Sequence, residues 1–317
     1  MTIGIAAAGP RAGLGIFHAL RAVERVGRGA IGGFVSLAVL TSDGEILRAS
    51  TQTGGTTTLF GGDGPPLEIA EARLAVLMSS GPNRPEPLAQ FTPVRPDVAL
   101  ITGHRLPNVV AVGATPPNEM LLDAIETGLS AQAAVRQVLQ ANADADAGVI
   151  ALTPAGEIAL GDTALVERRG DRGGLLFSDE QAGVTGGVLH NSIFPVRGIT
   201  EIVAGMIIDT AREPDRADFM MTVDTNTKVV CGAASAVSLG QDLHAERIVV
   251  EPNQMRDGYL EGALFFLGTP VYGPGEALLG HVSGEEPYTI VSGERIVSLS
   301  GRPSARIGVR AGERSAR

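Results

Sequence analysis

The sequence predicts an α+β fold in which mostly antiparallel sheets are covered by helices, and three observations carry that reading. Residues 33–50 run as an apolar, β-branched stretch, then Asp43-Gly44, then Glu45-Ile46 and a second apolar stretch. Residues 147–161 repeat the pattern around Ala155-Gly156 and Glu157-Ile158. Each has the form of a β-hairpin whose turn needs a residue free to take positive φ. The third observation is that segments of helical period separate these hairpins, which lays helices over the sheets. A doubly wound parallel sheet is the alternative, and it is weaker because hairpin turns stand where long crossovers would be needed.

Thr2–Ala8 is a short apolar strand stopped by Gly9-Pro10. Ile16–Val26 places Ile16, Leu20 and Val23 on one helical face, with Arg21, Glu24 and Arg25 outside; Gly27 and Gly29 end it. The first hairpin follows at 33–52, then a Gly/Thr-rich loop at 53–64. Pro65 and Pro66 open a helix expected to reach Ser79, with Leu67, Ala70, Leu74 and Leu77 as its stripe. Five prolines make 81–96 an extended connector, Asp97–Thr102 is a buried strand, and Val109–Val112 a further short one. Residues 118–141 form the longest helical region, split near Gly128 because Ser130 makes a fresh N-cap. The second hairpin covers 147–166 and a charged, solvated turn covers 167–172.

Ala182–Pro195 is Gly-rich and reads as irregular, and Gly198–Arg212 as a helix burying Ile199, Ile202, Val203, Met206 and Ile207. A third hairpin is expected from Phe219–Val223 paired with Val229–Ala236, with Cys231 pointing into the core. Ile248–Val250, Leu264–Leu267 and Tyr288–Val291 are later strands. The reading is one layered domain over 1–317 with a subdivision near 170–182, and a flexible, Arg/Ser-rich tail over 301–317.

Composition narrows the function. With 44% hydrophobic residues, 4% aromatic and no Trp, the core is built from Val, Ile, Leu and Ala. A net charge of −10 argues against a nucleic-acid partner, which calls for a basic face. Lys228 is the only lysine, so Schiff-base chemistry would have to use it. Cys231 is the only cysteine, which excludes an intrachain disulfide and fits a cytoplasmic location. No apolar run is long enough to span a membrane, and no basic segment precedes the first apolar stretch, so neither a membrane partner nor a signal peptide is expected.

The segment Met120-Leu-Leu-Asp-Ala-Ile-Glu-Thr-Gly-Leu-Ser-Ala-Gln-Ala-Ala-Val-Arg-Gln-Val-Leu-Gln140, followed by Ala147-Gly-Val-Ile-Ala-Leu and the Ala155-Gly156 turn, resembles a stretch found in N-terminal-nucleophile (Ntn) hydrolases. It resembles in particular an uncharacterised bacterial family of that fold, in which a Gly-Leu-Ser-Ala helix leads into such a hairpin. The start Met1-Thr2-Ile3 and the Asp43-Gly44 hairpin are similar to the same superfamily, proteasome-type subunits included, so the resemblance covers residues 1–165. It implies a four-layer αββα sandwich. It also implies an N-terminal Thr, Ser or Cys nucleophile with its own α-amine as general base and backbone N–H groups as oxyanion hole. Thr2 is the matching residue. Removal of Met1 would expose an amine whose ordinary pKa is about 7.7–8.0, on the carbon adjacent to the one bearing the hydroxyl, so covalent geometry preorganises base and nucleophile. Proteasome-like sites place a lysine near the first hairpin; here Arg28, Arg48 or a histidine would have to replace it. The implied activity is an amidohydrolase acting on an amide or peptide-like bond in a small-molecule substrate. The alternative is a catalytically silent relative that binds a small ligand or assembles as a homo-oligomer.

Further candidates come from loops. His104, in Thr102-Gly103-His104-Arg105, follows a buried strand, a place where residues line sites, and Arg105 would suit an acidic substrate group. His190-Asn191-Ser192 sits among glycines; His190 with Ser192 would form a nucleophile–base pair if an acid were near, with Asn191 as a substrate contact. Gly55-Thr56 resembles the self-cleavage junction of asparaginase-like Ntn members, although Gly61 follows too soon for the long strand that should come next. As a loop, Thr56 and Thr57 would offer N–H groups and hydroxyls to a ligand. His18 falls on a helix, and His244 and His281 in turns, which makes all three structural or exposed. No two histidines have helical spacing, so no metal is expected. Gly183–Gly187 lacks the Lys-Ser/Thr ending of a P-loop and no Gly-x-Gly-x-x-Gly follows a strand, so no cofactor is expected.

Overall fold

Thr2–Ala8 (β1) carries no charge and all seven of its residues are buried, which requires a sheet covered on both faces. It runs between Leu74–Ser80 (β4) and Val184–Asn191 (β10); Val35–Leu40 (β2), Ile46–Thr51 (β3) and Arg172–Asp179 (β9) complete a sheet of order β3-β2-β4-β1-β10-β9, antiparallel throughout. Val94–Arg95 (β5), Ala99–Arg105 (β6), Ala147–Leu152 (β7) and Ile158–Asp162 (β8) form a second antiparallel sheet in that order. The computed structural model describes every residue except 62–63, 112, 213–216, 265, 284–286 and 312–317.

Period-2 alternation assigns the faces. Ile3, Ile5 and Ala7 point outward onto Ala12–Val26 (α1) and Val196–Ala211 (α7), packing with Ile16, Leu20, Val23, Ile199, Val203 and Ile207. Ala6 and Ala8 point inward and meet Leu100, Ile150 and Leu152 of the second sheet. The outer face of that sheet, through Ile101 and Val149, packs on Pro117–Glu126 (α4) and Ala131–Ala141 (α5). Residues 1–212 therefore form a four-layer αββα sandwich. Gly55–Leu59 (α2), Leu67–Ala70 (α3) and Ala164–Glu167 (α6) are short helices in its connections. Gly4 sets the spacing at one end, because a methyl there would lie 2.2 Å from the carbonyl oxygen of Gly103.

Several elements differ from their sequence reading. The helix expected over 65–79 is only α3, and Leu74–Ser80 is a strand flanked by β1 and β2. Leu74 and Leu77 fit a helical stripe as well as a buried strand, and burial on both faces decides for the strand. Ala182–Pro195 is not irregular: its glycines make room for bulky neighbours across the ladder, since a methyl at Gly186 would sit 2.1 Å from the Phe177 ring. No strand forms over 109–111, and Val112 lies outside the described residues.

Two compact units divide the chain, Met1–Arg212 and Glu213–Arg317, whereas 170–182 lies within the first unit and contributes β9 to its main sheet. The second unit has its own core, including Met221, Val229, Ile248, Val271 and Ile307, and ten described strands in one sheet. The third hairpin does not form there. Phe219–Asp224 pairs with Ser304–Ala311, while Lys228–Cys231 pairs in parallel with Ala245–Val250. Cys231, at the end of its strand, is exposed rather than in the core. Leu264 is buried but outside any strand, and Phe265 is not among the described residues. The expected tail is ordered as a strand through Ala311, and 312–317 lie outside the described residues. The fold is α+β with mostly antiparallel sheets. Among the described residues no helix is long and apolar enough to cross a membrane.

Candidate active site

Thr2 opens β1 with Asn191 of β10 on one side of it in the ladder and Ser80 of β4 on the other. Because Ile3 faces the helices, Thr2 faces the second sheet, and so does Asn191, two residues beyond the inward-facing Leu189. The Thr2 N–H donates to Asn191 Oδ1 at 3.1 Å and its hydroxyl donates to the same oxygen at 2.7 Å. The amide N–H can only donate, so Asn191 must present its oxygen and turn its Nδ2 away. From the opposite sheet, the backbone N–H of Arg105 donates to Thr2 Oγ1. Arg105 ends β6 with φ of 64°, a left-handed conformation unusual for a long side chain.

These contacts close into a ring. Asn191 Nδ2 donates to Ser192 Oγ at 3.3 Å, and the Ser192 hydroxyl donates to Asp171 Oδ2. Arg105 Nη2 donates to Asp171 Oδ1 at 2.9 Å, which returns the chain of bonds to Thr2. The Ser192 hydroxyl, followed by the Arg105 charge, holds the Asp171 carboxyl below its ordinary range, so it stays ionised. Arg105 Nη1 also reaches Asp146 at 3.1 Å. Its guanidinium, which the residue type suggested for an acidic substrate group, is thus paired with a carboxylate of the chain itself on both sides.

The histidines lie beside this ring without joining it. His104 is fully buried with Nε2 at 2.6 Å from Asp162 Oδ1, and Arg172 Nη1 holds Asp162 Oδ2 at 3.0 Å. Gly148 makes room for the pair, since a methyl there would lie 2.2 Å from Asp162 Oδ1 and 2.3 Å from His104 Nε2. No described hydrogen bond joins His104 to Thr2; it anchors the strand end that delivers the Arg105 N–H. His190 points to the helix face of the sheet, away from Thr2, and its Nε2–H donates to the Val196 carbonyl at 3.0 Å. Burial pushes its pKa down to about 4, so it is neutral at physiological pH. The His190–Ser192 pair does not form, because the serine hydroxyl is given to Asp171.

Thr56 lies in α2 rather than in a loop. Its N–H and hydroxyl both go to the Glu24 carboxylate, whose pKa burial raises despite these bonds. Thr57 is exposed, and neither threonine is hydrogen-bonded to the ring. The sequence reading missed Asp171, Asp146, Asp162 and Ser80. The first belongs to a charged stretch that looks solvated, and only the fold turns it toward Ser192. A cavity of about 1010 Å³ opens at the other end of β1, lined by Ala8, Gly9, Asp43, Asp97 and Asp179 among others, and no ring residue lines it.

No curated protein matches the chain. The solved structure of glutamine phosphoribosylpyrophosphate (PRPP) amidotransferase from B. subtilis complexed with ADP and GMP is similar at 12% identity and a TM-score of 0.38, over 59% of this chain and 41% of that one. This chain thus spans less than half of that protein's length. Residues 226–304 match a family described as a domain of unknown function, DUF7259. Residues 2–220, more than half of the chain and every residue of the Thr2 ring, match the family described as domain of unknown function DUF6963, and the chain belongs to that family.

Proposed function

We propose that the chain is an amidohydrolase of Ntn type, acting on an amide or peptide-like bond in a small molecule, with Thr2 as nucleophile once it is the first residue. The observation that carries this reading is the Thr2 hydroxyl held between the Asn191 oxygen and the Arg105 N–H at the start of a central strand. Oγ1 attacks the amide carbon while its proton passes to the Thr2 α-amine, and the amine hands that proton to the leaving nitrogen as the C–N bond breaks. Water then opens the acyl–Thr2 ester, giving one proton through the amine back to Oγ1 and releasing the carboxylic acid. The Arg105 N–H stabilises charge developing on Oγ1, and Asn191 Oδ1 fixes the Thr2 nitrogen.

A second reading, a catalytically silent protein in which the ring ties the two sheets together, is favoured by one observation: Thr2 is only 5% exposed. Intact-mass spectrometry and turnover of an amide panel separate the two. The catalytic reading expects protein beginning at Thr2, turnover lost in Thr2→Ala and kept in Thr2→Ser. Retention of residues before Thr2 in the purified protein, or unchanged turnover in Thr2→Ala, rejects it.

A further inference from the structure

Arg84 stands apart from the other arginines around Thr2. Arg105 is paired with Asp146 and Asp171, Arg169 lies 3.8 Å from Asp146, and Arg172 lies 3.0 Å from Asp162. Among the described residues Arg84 has no carboxylate within ion-pair distance, and its two Nη groups have no protein partner. It is nevertheless held in place. Its Nε–H donates to Ser80 Oγ at 2.8 Å, and Ser80 is fully buried directly opposite Thr2 in the β1–β4 ladder. The Gln52 amide clamps its backbone, accepting from the Arg84 N–H at 2.8 Å and donating to the Arg84 carbonyl at 2.8 Å.

The guanidinium therefore has its Nε edge fastened to Ser80 and its Nη edge free to take an anion. The open edge presents paired N–H donors with the geometry of a carboxylate. Its charge is also felt next to Thr2: after burial, Arg84 is the largest influence holding the α-amine of the neighbouring Met1 below its ordinary pKa, ahead of Arg105. We infer that Arg84 is the specificity-determining residue of the Thr2 site and receives a carboxylate of the substrate, so that the substrates are small amides that also carry a carboxylate. This assignment rests on the Thr2 reading and adds the class of substrate to it.

The test is calorimetric titration of the full chain carrying Thr2→Ala with two probes: succinamate, which joins an amide to a carboxylate, and neutral succinamide. Succinamate should bind at least about tenfold more tightly, as expected for a charge-assisted paired contact. Adding Arg84→Gln should bring the ratio of the two affinities to near one, and adding Arg84→Lys should keep part of the preference. Equal binding of the probes to the Arg84 protein, a preference that survives Arg84→Gln, or binding of neither probe overturns the assignment. Binding needs no nucleophile, so these outcomes are separate from failure of the Thr2 mechanism, which shows in intact mass and turnover.

Discussion

Asn191 Oδ1 accepts two hydrogen bonds from Thr2, one from the backbone N–H at 3.1 Å and one from the hydroxyl at 2.7 Å, although 189 residues separate the two in sequence. The β1–β10 register makes this possible. A slip of one residue would turn Asn191 toward the helices and set His190 against the second sheet.

Asn191→Leu should leave both Thr2 donors without their acceptor in a buried place. The expected loss is about 1–3 kcal/mol of stability, measured by denaturant unfolding. Asn191→Asp keeps an acceptor and adds a negative charge beside the Thr2 nitrogen. If the amine is the general base, the acidic limb of the pH–rate profile should move to higher pH in this variant. An unmoved limb would count against the amine as base.

His190 should give a pH-dependent stability. Its pKa is about 4 in the folded chain against an ordinary 6.5, so the unfolded chain binds more protons between those values. Stability is complete above pH 6.5 and falls as pH drops toward 4, by a total of ~3 kcal/mol. Urea titrations across that range should show the slope, and His190→Gln should flatten it. Below the ordinary carboxylate pKa of 3.8, protonation of Asp171 adds a further loss, because its folded value is lowered.

Gly4→Ala should be among the most damaging single changes in the first unit. The new methyl would stand 2.2 Å from a backbone oxygen of the facing sheet, and backbone on both sides leaves nothing flexible to yield. A loss of more than about 3 kcal/mol is expected, above the usual range for an added methylene because two strands must part. Thermal melts of Gly4→Ala beside Gly205→Ala, where a methyl would meet nothing within 4 Å, test this directly.

The His104–Asp162 pair should behave as a coupled structural unit. His104→Leu leaves a buried carboxylate with Arg172 alone and should cost about 3–5 kcal/mol. The double variant His104→Leu/Asp162→Leu should cost less than the two single changes added together. Additive losses would show that the two side chains do not support each other.

The two hairpins at 35–51 and 147–162 were legible because Asp43-Gly44 and Ala155-Gly156 punctuate paired apolar, β-branched runs, and Gly44 and Gly156 do take φ of 84° and 83°. Ser130 was legible as a cap for a local reason, since its oxygen accepts the Ala133 N–H three residues on. Leu74–Ser80 and Val184–Asn191 were not legible. Their strand character comes from lying on either side of β1, and two of the glycines that suggested a loop at 182–195 instead make room for side chains, Gly186 for Phe177 and Gly187 for Leu160 and Ile158. The candidate site divides in the same way. Thr2, Arg105 and Asn191 are residue types that suggest chemistry, whereas Asp171 and Arg84 look like ordinary solvated charges until the fold gives one a serine and an arginine and leaves the other without a carboxylate.

By itself, then, the sequence determined the two hairpins of the first unit, the helices α1, α4, α5 and α7 and the apolar first strand, because capping, turn conformation and side-chain period act between residues close along the chain. The tertiary structure alone decided that Thr2 meets Asn191 and Arg105, that Arg105 is neutralised while Arg84 is open, and that His190 faces away. Those outcomes depend on strand order, on register and on the approach of two sheets across Gly4, and each joins residues that no local interaction connects.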